Sequence, residues 1–148
     1  MSSDTSVLVR RAGGMLVFLG CVHLVATAVL SAEHIPGWFG GSMWFFPPGP
    51  EDLSRLAPGV GAFWLVWGSF AVPLGLIGAL VVGFGRRGRV PPAYLGIGVG
   101  VWALGGAALF EPSPFVLAVV PAVLLLVAHR RETAERDDAG RASGAGPA

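Results

Sequence analysis

Apolar and charged positions divide the chain into four long apolar stretches separated by short charged segments. Residues 12–32, 56–85, 90–110 and 112–129 contain no Asp, Glu, Lys or Arg. A helix needs about 17 to 25 residues to cross a bilayer, and every stretch meets that length. The pattern therefore predicts an all-α fold, a bundle of four transmembrane helices with spans at about residues 12–32, 58–85, 90–110 and 112–129.

Prolines modify the predicted ends and shapes of two of these helices. The second stretch is longer than one span requires, so we expect its helix to begin within residues 58–61 and to be tilted or kinked at Pro73. The fourth helix is expected to begin at Pro112 or Pro114, where a missing N–H does no harm. Pro121 lies inside that helix and is expected to bend it.

Arginine positions predict the orientation of the helices. Two arginines precede the first helix, three lie between the second and third, and four follow the fourth, of which the first three are Arg130, Arg131 and Arg136; the others are Arg10, Arg11, Arg86, Arg87 and Arg89. Only Arg55 falls on the opposite side. Because cytoplasmic loops are enriched in Lys and Arg, both termini are predicted to be cytoplasmic, and residues 33–55 and 111–114 extracytoplasmic.

The connection between the first two helices, residues 33–57, is long and unusually aromatic. Its large apolar side chains are Ile35, Trp38, Phe39, Met43, Trp44, Phe45 and Phe46. Aromatic side chains suit the bilayer interface, so we expect an interfacial segment folded over the outer mouth of the bundle. It is a candidate cap over a lipid-like or quinone-like ligand. An aromatic belt with solvated carboxylates is the preferred alternative, because the spacings match no ligand-binding motif.

Both ends of the chain carry separate expectations. Residues 131–148 mix charges with Gly, Ala, Ser and Pro and lack an apolar period, so a disordered cytoplasmic tail is predicted after a single bundle over residues 1–130. At the start, paired arginines, an apolar run and residues 26–28 (ATA) resemble a signal peptide with a cleavage site. Retention of the first helix is preferred because the apolar run continues beyond that site.

Composition supports a membrane class and excludes several others. The 148 residues are 53% hydrophobic and only 13% charged, more apolar surface than a soluble core of this size can bury. A formal net charge of +1 does not suggest a nucleic-acid partner. Because Cys21 is the single cysteine, an internal disulfide and an all-cysteine metal site are excluded. All ten basic residues are arginine, which indicates a GC-rich bacterial genome.

Small residues form strips on two predicted helices. The second helix carries Gly61, Gly68 and Gly75 seven residues apart, with Ala71 and Gly78 on the same side, and the third carries Gly96, Gly100, Ala103 and Ala107. Such strips let helix backbones approach closely in lipid. They predict packing within the bundle, with a homodimer or another membrane protein as the alternative partner.

His23 is the one strongly polar side chain near the middle of a predicted span. Ionisable residues within a membrane are expensive and mark candidate functional positions. Helical steps of three or four residues place it in a polar stripe running towards the outer face. The candidate binding residues are therefore His23, Thr27, Ser31 and, if the helix continues, His34, together with Glu111 from the turn before the fourth helix.

Two interpretations of His23 remain open. The preferred one is a neutral structural histidine bonded to a carbonyl or to a hydroxyl such as that of Ser69. The alternative is a haem or quinone site, but a bis-histidine haem needs His23 of a second copy because no other histidine lies at its depth. The spans lack the carboxylates of an open metal site, so the sequence predicts no metal ligands and identifies no cofactor.

Residues 20–24, 62–64, 68–70 and 109–114 (GCVHL, AFW, GSF and LFEPSP) resemble a family of small actinobacterial four-helix membrane proteins catalogued as a domain of unknown function. The resemblance covers residues 12–129. It implies the four-helix bundle and no activity, substrate or catalytic residue. It adds weight to His23 and Glu111 as positions to test.

Three function hypotheses follow. The first is a non-enzymatic accessory or lipid-interacting protein of the plasma membrane, which requires nothing that the sequence lacks. The second is a haem- or quinone-binding redox protein that uses His23. The third is a small-molecule transporter, ranked last because proton-coupled exporters need a carboxylate within the membrane. No nucleophile lies beside a base in a recognisable arrangement, so no catalytic residue is predicted.

Overall fold

The computed structural model describes residues 2–40, 58–109 and 114–144, and within these ranges the chain is helical. The helices are α1 (Ser3–Leu30), α2 (Ile35–Trp38), α3 (Pro58–Val66), α4 (Ala71–Arg86), α5 (Ala93–Leu109) and α6 (Val116–Gly144). No strand occurs in the described ranges. The predicted all-α class is confirmed.

Two helical stretches are long and apolar enough to cross a membrane. They are Ser3–Leu30 and Pro58–Arg86, the second of which includes α3, the turn after it and α4. Ala93–Leu109 is also apolar but shorter. In α6 the apolar part ends at Ala128, and Arg130 and Arg131 follow within one turn. Length and composition therefore identify two candidate spans among the described residues.

The chain divides into two compact units. Unit 1 comprises Met1–Phe18 with Leu76–Ala148, and unit 2 comprises Leu19–Gly75. Helices α1 and α4 contribute to both units. The sequence predicted a single bundle over residues 1–130, whereas the contacts within the structure group these residues into two sets.

Helix α1 begins at Ser3, ahead of the predicted span, because Ser2 caps it. The Ser2 hydroxyl accepts a hydrogen bond from the Thr5 backbone N–H at 3.4 Å and shares a second with the Thr5 hydroxyl at 2.9 Å. A serine at this position satisfies N–H groups that have no partner within the helix. The buried side of this first part comprises Thr5, Val9, Ala12 and Leu16, at the steps of one helical face.

Unit 1 brings α1 and α4 together at two glycines. A Cβ at Gly78 would lie 2.6 Å from the Val17 backbone nitrogen and 2.7 Å from the Gly13 carbonyl oxygen. A Cβ at Gly13 would lie 2.7 Å from the Val82 backbone nitrogen. The backbones touch where neither helix has a side chain, which is how small residues pack helices in lipid.

An apolar core adjoins this contact in unit 1. Its buried members come from α1, α4 and α6, namely Val9, Ala12, Val81, Leu125 and Ala128. Partly buried side chains of these three helices, of α5 and of the turn before α5 pack against them: Leu8, Ile77, Phe84, Val90, Leu95 and Leu124. Alanine and valine dominate the buried set. Small core residues of this kind keep the helix axes close.

The predicted second helix is broken. Helix α3 ends at Val66 and α4 begins at Ala71, with a turn between them. Pro73 has no N–H to donate to the Ser69 carbonyl, and its ring crowds that carbonyl, so a continuous helix is disfavoured here. Pro73 was correctly predicted to disturb this helix, but the break lies between Val66 and Ala71, just before the proline.

The predicted small-residue strip on the second helix is right in part, because Gly78 and the backbones of Ala71 and Gly75 lie against α1. A Cβ at Gly61 or Gly75 would meet nothing within 4 Å, and at Gly68 it would meet the ring of Trp64 on the neighbouring turn. The close contacts with α1 are made by Gly78 and, seven residues later, by Gly85. The break between α3 and α4 interrupts the helical register, so spacing across it does not define one face.

Helices α5 and α6 pack along the predicted strip of the third helix. A Cβ at Gly96 would lie 3.2 Å from the Leu125 Cβ, and one at Gly100 would lie 3.5 Å from the Ala122 Cβ. Ala103 is fully buried. Towards the other end, the rings of Trp102 and Phe115 meet edge to face with centroids 4.9 Å apart. The predicted packing role of this strip is confirmed.

Helix α6 continues beyond the predicted fourth span to Gly144, and the disorder of the tail stays a prediction. Arg136 bonds Glu132 at 2.7 Å, and Arg141 bonds Asp138 at 2.8 Å. The Thr133 hydroxyl donates to the His129 carbonyl at 3.0 Å. Pairs at i,i+3 and i,i+4 each add a few tenths of a kcal/mol to an exposed helix. The sequence analysis considered only the missing apolar period and did not consider these charge pairs.

Candidate functional site

The polar stripe of α1 faces the interior of unit 2. Thr27 is 6% exposed and Ser31 is 2% exposed. His23, which lies one turn before Thr27 and one turn after Gly20, is partly buried. Neighbouring residues on the other faces, such as Val25, are exposed. The structure therefore brings three of the predicted candidates, His23, Thr27 and Ser31, onto one inward face of the helix.

Gly20 sets the spacing between this face and the start of α4. A Cβ at Gly20 would lie 2.7 Å from the Ala71 carbonyl oxygen and 3.0 Å from the Gly75 backbone nitrogen. No side chain fits between these backbones. The approach places the beginning of α4 against α1 one turn before His23.

The His23 ring packs on Phe70, in the turn before α4. The ring centroids lie 4.4 Å apart with the planes tilted by 40°. At this separation the two rings are in direct contact. No sequence pattern selects Phe70 as the neighbour of His23, because the pairing depends on how two separate helices are rotated about their axes.

The Ser69 hydroxyl, which was suggested as a partner for His23, instead forms hydrogen bonds at the break between α3 and α4. Its Oγ donates to the Val66 carbonyl at 2.9 Å and accepts from the Ala71 N–H at 3.3 Å. Serine commonly makes such bonds where one helix ends and another begins. The structure thus replaces the proposed hydroxyl partner of His23 with an aromatic one.

Thr27 and the end of α1 satisfy their polar groups locally. The Thr27 hydroxyl donates to the His23 carbonyl at 2.8 Å, with the Leu24 carbonyl at 3.2 Å. The Ser31 N–H bonds the Thr27 carbonyl at 3.0 Å. Bonds to carbonyls three or four residues back are typical of hydroxyl residues in membrane helices. They hold the helix end and leave the hydroxyl directed at its own backbone.

His34 is separated from His23. Helix α1 ends at Leu30, a turn follows, and the His34 N–H bonds the Ser31 carbonyl at 2.9 Å. The His34 Nε2 lies 3.4 Å from a carboxylate oxygen of exposed Glu33. His34 was expected to join the stripe only if the helix continued, and that condition is not met because α1 ends at Leu30.

The start of the aromatic connection is fastened to α3. The Trp38 Nε1 donates to the Gly59 carbonyl at 3.0 Å, and the Trp38 and Phe63 rings meet edge to face with centroids 5.7 Å apart. An indole bonded at its N–H and packed on its face is firmly placed. Within the described part of this connection, Trp38 is anchored to unit 2, while Phe39 is 86% exposed.

Several predicted site residues lie outside the described residues. Glu111 is one, and the aromatic run at residues 43–46 is another. The hypothesis that the aromatic connection caps a ligand therefore stays a prediction beyond Gly40. Among the residues that the structure describes, no group of three His, Cys, Asp or Glu side chains can hold a metal ion.

No protein-family model matches the sequence, and neither a curated protein nor a solved structure matches it. The resemblance to the actinobacterial four-helix family accordingly stays an expectation. Function has to be argued from the distribution of side chains in the two units.

Proposed function

We propose that this chain is an integral protein of the bacterial plasma membrane, with four spans and both termini cytoplasmic, and that it acts as a non-enzymatic accessory or lipid-interacting protein. The observation that carries the proposal is the distribution of side-chain size. The buried apolar residues are mostly Ala and Val, whereas Leu, Phe and Trp are prominent among the exposed ones.

The buried side chains are mainly alanine and valine. Alanines recur on the inner faces of the helices: Ala12, Ala62, Ala71, Ala103, Ala118, Ala122 and Ala128. The outward side chains include Phe18, Val29, Trp64, Trp67, Leu76, Ile97, Val101, Leu104, Leu117 and Val120. A soluble protein rarely exposes a contiguous apolar surface of this extent. Lipid is the solvent in which such faces are stable.

Low burial also separates the two long apolar helices from the core helices of soluble proteins. In the most apolar 18-residue segment of Ser3–Leu30 only 22% is buried, and in the corresponding segment of Pro58–Arg86 only 28% is buried. The burial of Val9, Ala12 and Leu16 in unit 1 supports the retention of α1.

The proposal extends the spans to α5 and α6. Helix α5 has 17 residues, which is about 26 Å of rise against a hydrocarbon core of about 30 Å. It packs along the apolar part of α6 through Gly96 and Gly100. Both helices expose large apolar side chains on their other faces. A helical hairpin with these features is expected to cross the bilayer as a pair.

A structural role for the polar residues supports the non-enzymatic assignment. The Thr27 hydroxyl bonds its own helix, the Ser69 hydroxyl bonds the break, and the His23 ring lies on Phe70. Each of these groups stabilises unit 2 in the structure. The redox hypothesis would in addition require a ring nitrogen of His23 to bind a cofactor.

Reporter fusions test the four spans and their orientation. Alkaline phosphatase and green fluorescent protein are fused after residues 50, 88, 113 and 140. We expect periplasmic signals after 50 and 113 and cytoplasmic signals after 88 and 140. A cytoplasmic signal after residue 113 would reduce the protein to two spans and overturn the proposal, and matching signals after 50 and 140 would overturn the orientation.

A further inference from the structure

Seven exposed arginines gather at one end of unit 1. They are Arg10, Arg11, Arg86, Arg87, Arg89, Arg130 and Arg131, and we call them the arginine collar. Each lies within a few residues of the same apolar core, to which α1 contributes Val9 and Ala12, α4 Phe84 and α6 Ala128. Three separate parts of the chain therefore deliver positive charge to one surface.

Three collar arginines, Arg86, Arg87 and Arg89, lie on a turn that is held by backbone hydrogen bonds. The Arg89 N–H bonds the Phe84 carbonyl at 3.0 Å, and the Gly88 N–H bonds the Gly85 carbonyl at 3.3 Å. Gly88 has a φ of 65°, the left-handed conformation that this type of helix end requires and that glycine adopts without strain. The backbone bonds hold Arg86, Arg87 and Arg89 on a fixed turn.

Arg10 is held against the same turn. A Cβ at Gly85 would lie 2.7 Å from the Arg10 Cγ and 3.1 Å from the Arg10 backbone nitrogen. The aliphatic stem of Arg10 thus lies across the last turn of α4, directly before Arg86. Gly85 is required for this approach because any side chain would displace the stem.

Three described carboxylates of the α6 extension have partners outside the collar. Glu132 bonds Arg136 and Asp138 bonds Arg141 in the α6 extension, and Glu135 accepts the Ser2 N–H at 3.1 Å. None of the seven collar arginines forms an ion pair with a residue in the described ranges. Like charges brought together without counter-charges repel each other, so an external anion stabilises the arrangement.

We propose that the arginine collar binds the headgroup phosphates of anionic phospholipids, of the phosphatidylglycerol type, in the cytoplasmic leaflet. Guanidinium groups match phosphate oxygens through two parallel hydrogen bonds, which lysine cannot do. Outward apolar side chains lie near the collar along the chain, with Leu80 of α4 55% exposed and Tyr94 at the start of α5 72% exposed. A lipid satisfies both surfaces, whereas a free phosphate satisfies only the arginines.

The inference rests on the proposed membrane location and specifies what the protein binds there. The test uses full-length protein in detergent, with phosphatidylglycerol or phosphatidylcholine of equal chain length added, and native mass spectrometry of the retained lipid. Wild-type protein should prefer phosphatidylglycerol about tenfold, since each arginine near an anionic surface contributes measurably to binding. The triple variant R86Q/R87Q/R89Q should lose that preference.

A matched variant tests whether position matters more than total charge. R136Q/R141Q removes arginines that already have carboxylate partners in the α6 extension, and it should keep the wild-type preference. A triple variant that retains the preference would overturn the proposal. So would displacement of the lipid by an equal concentration of inorganic phosphate, which would indicate a site for soluble anions.

A measurement on wild-type protein covers the case in which the triple variant does not fold. Raising the salt concentration from about 0.1 M to 1 M shortens the screening length from about 10 Å to 3 Å and should abolish most of the preference. A preference unaffected by salt would contradict the collar. Membrane insertion is measured separately by resistance to carbonate extraction, so failure of the membrane proposal is distinguishable from failure of this one.

Discussion

Helices α1 and α4 meet in both units, but the two contacts are built differently. In unit 1 the backbones touch at Gly13 and Gly78, and apolar side chains such as Val81 fill the surrounding core. In unit 2 Gly20 approaches Ala71, and the neighbouring inward positions carry polar side chains. The contact in unit 1 depends on glycines that have no side chain. The contact in unit 2 lies beside polar side chains that need hydrogen-bond partners.

The difference indicates how each region tolerates change. Backbone contact leaves no space, so a single added carbon in unit 1 must move a helix. In unit 2 the hydroxyls of Thr27 and Ser69 bond nearby carbonyls. Each such bond depends only on its own segment of chain, so we expect substitutions there to be milder. The predictions below test this contrast.

The largest effect is expected from G78A, compared with G75A as its control. The new Cβ in G78A would lie within 2.9 Å of Val17, Gly13 and Leu16 atoms, whereas in G75A it would meet nothing within 4 Å. Overpacking of this kind costs about 1–3 kcal/mol. Alanine at position 75 is expected to be neutral or to stabilise by up to about 1 kcal/mol through helix propensity.

Thermal unfolding of the two variants in detergent measures this difference. G78A should melt below the wild type and G75A at or above it. Equal melting temperatures would mean that the contact between Gly13 and Gly78 is not tight in the folded protein. Loss of stability in G75A alone would restore the strip that the sequence pattern predicted.

A smaller effect is expected at the ring contact of unit 2. H23L and F70L should each be inserted normally, because leucine is well tolerated in a membrane helix. A double-mutant cycle on unfolding free energies should show a coupling of about 0.5–1.5 kcal/mol, the usual range for paired rings. V25L, at an exposed position of α1, is the control and should show no coupling with F70L.

An additive cycle would show that the contact between His23 and Phe70 contributes nothing specific to stability. A co-purified chromophore or quinone that is lost in H23L but retained in F70L would assign His23 to a ligand instead. That outcome would favour the redox hypothesis over the non-enzymatic one.

The smallest effect concerns the water-exposed end of unit 1. Hydrogen bonds from the side chain and backbone of Ser2 hold the pKa of the Glu135 carboxyl below its ordinary value of 4.5. A carboxyl with a lowered pKa in the folded state stabilises that state at pH values above the ordinary pKa, and this contribution is lost as the pH falls through the lowered pKa. Protection of the α1 N-terminus should therefore decrease below about pH 4.5.

Hydrogen exchange at the first turn of α1, compared between pH 6 and pH 3.5 after correction for intrinsic rates, measures this loss. E135Q should show the weaker protection at both pH values. Because the carboxyl is exposed, global unfolding should change little. A wild-type N-terminus that is equally protected at both pH values would contradict the contact between Ser2 and Glu135.

Local helix formation and the charge-free stretches were accessible from sequence. Helix α5 begins and ends close to the predicted span, and its Gly96 and Gly100 contact α6 as expected. Pro73 correctly indicated an irregular second helix. These features depend on neighbouring residues, because proline, glycine and apolar runs act within one or two helical turns.

The α6 extension and the candidate site were less accessible. Charge pairs such as Glu132 with Arg136 are visible in the sequence, but the lack of an apolar period favoured disorder. His23, Thr27 and Ser31 were correctly placed on one face, whereas His34 does not join them, because the end of α1 depends on local turns. Glu111 lies outside the described residues, so its role stays a prediction.

By itself, the sequence determined that the described chain is helical and which stretches are apolar enough to cross a membrane, because those properties arise from residues adjacent along one helix. Only the tertiary structure decided that a Cβ at position 78 and not at position 75 would collide with α1, and that Phe70 and not the Ser69 hydroxyl meets His23. The physical reason is rotation. The break before Pro73 ends the helical register, and the face that α4 then presents is selected by packing against residues about sixty positions away in the chain.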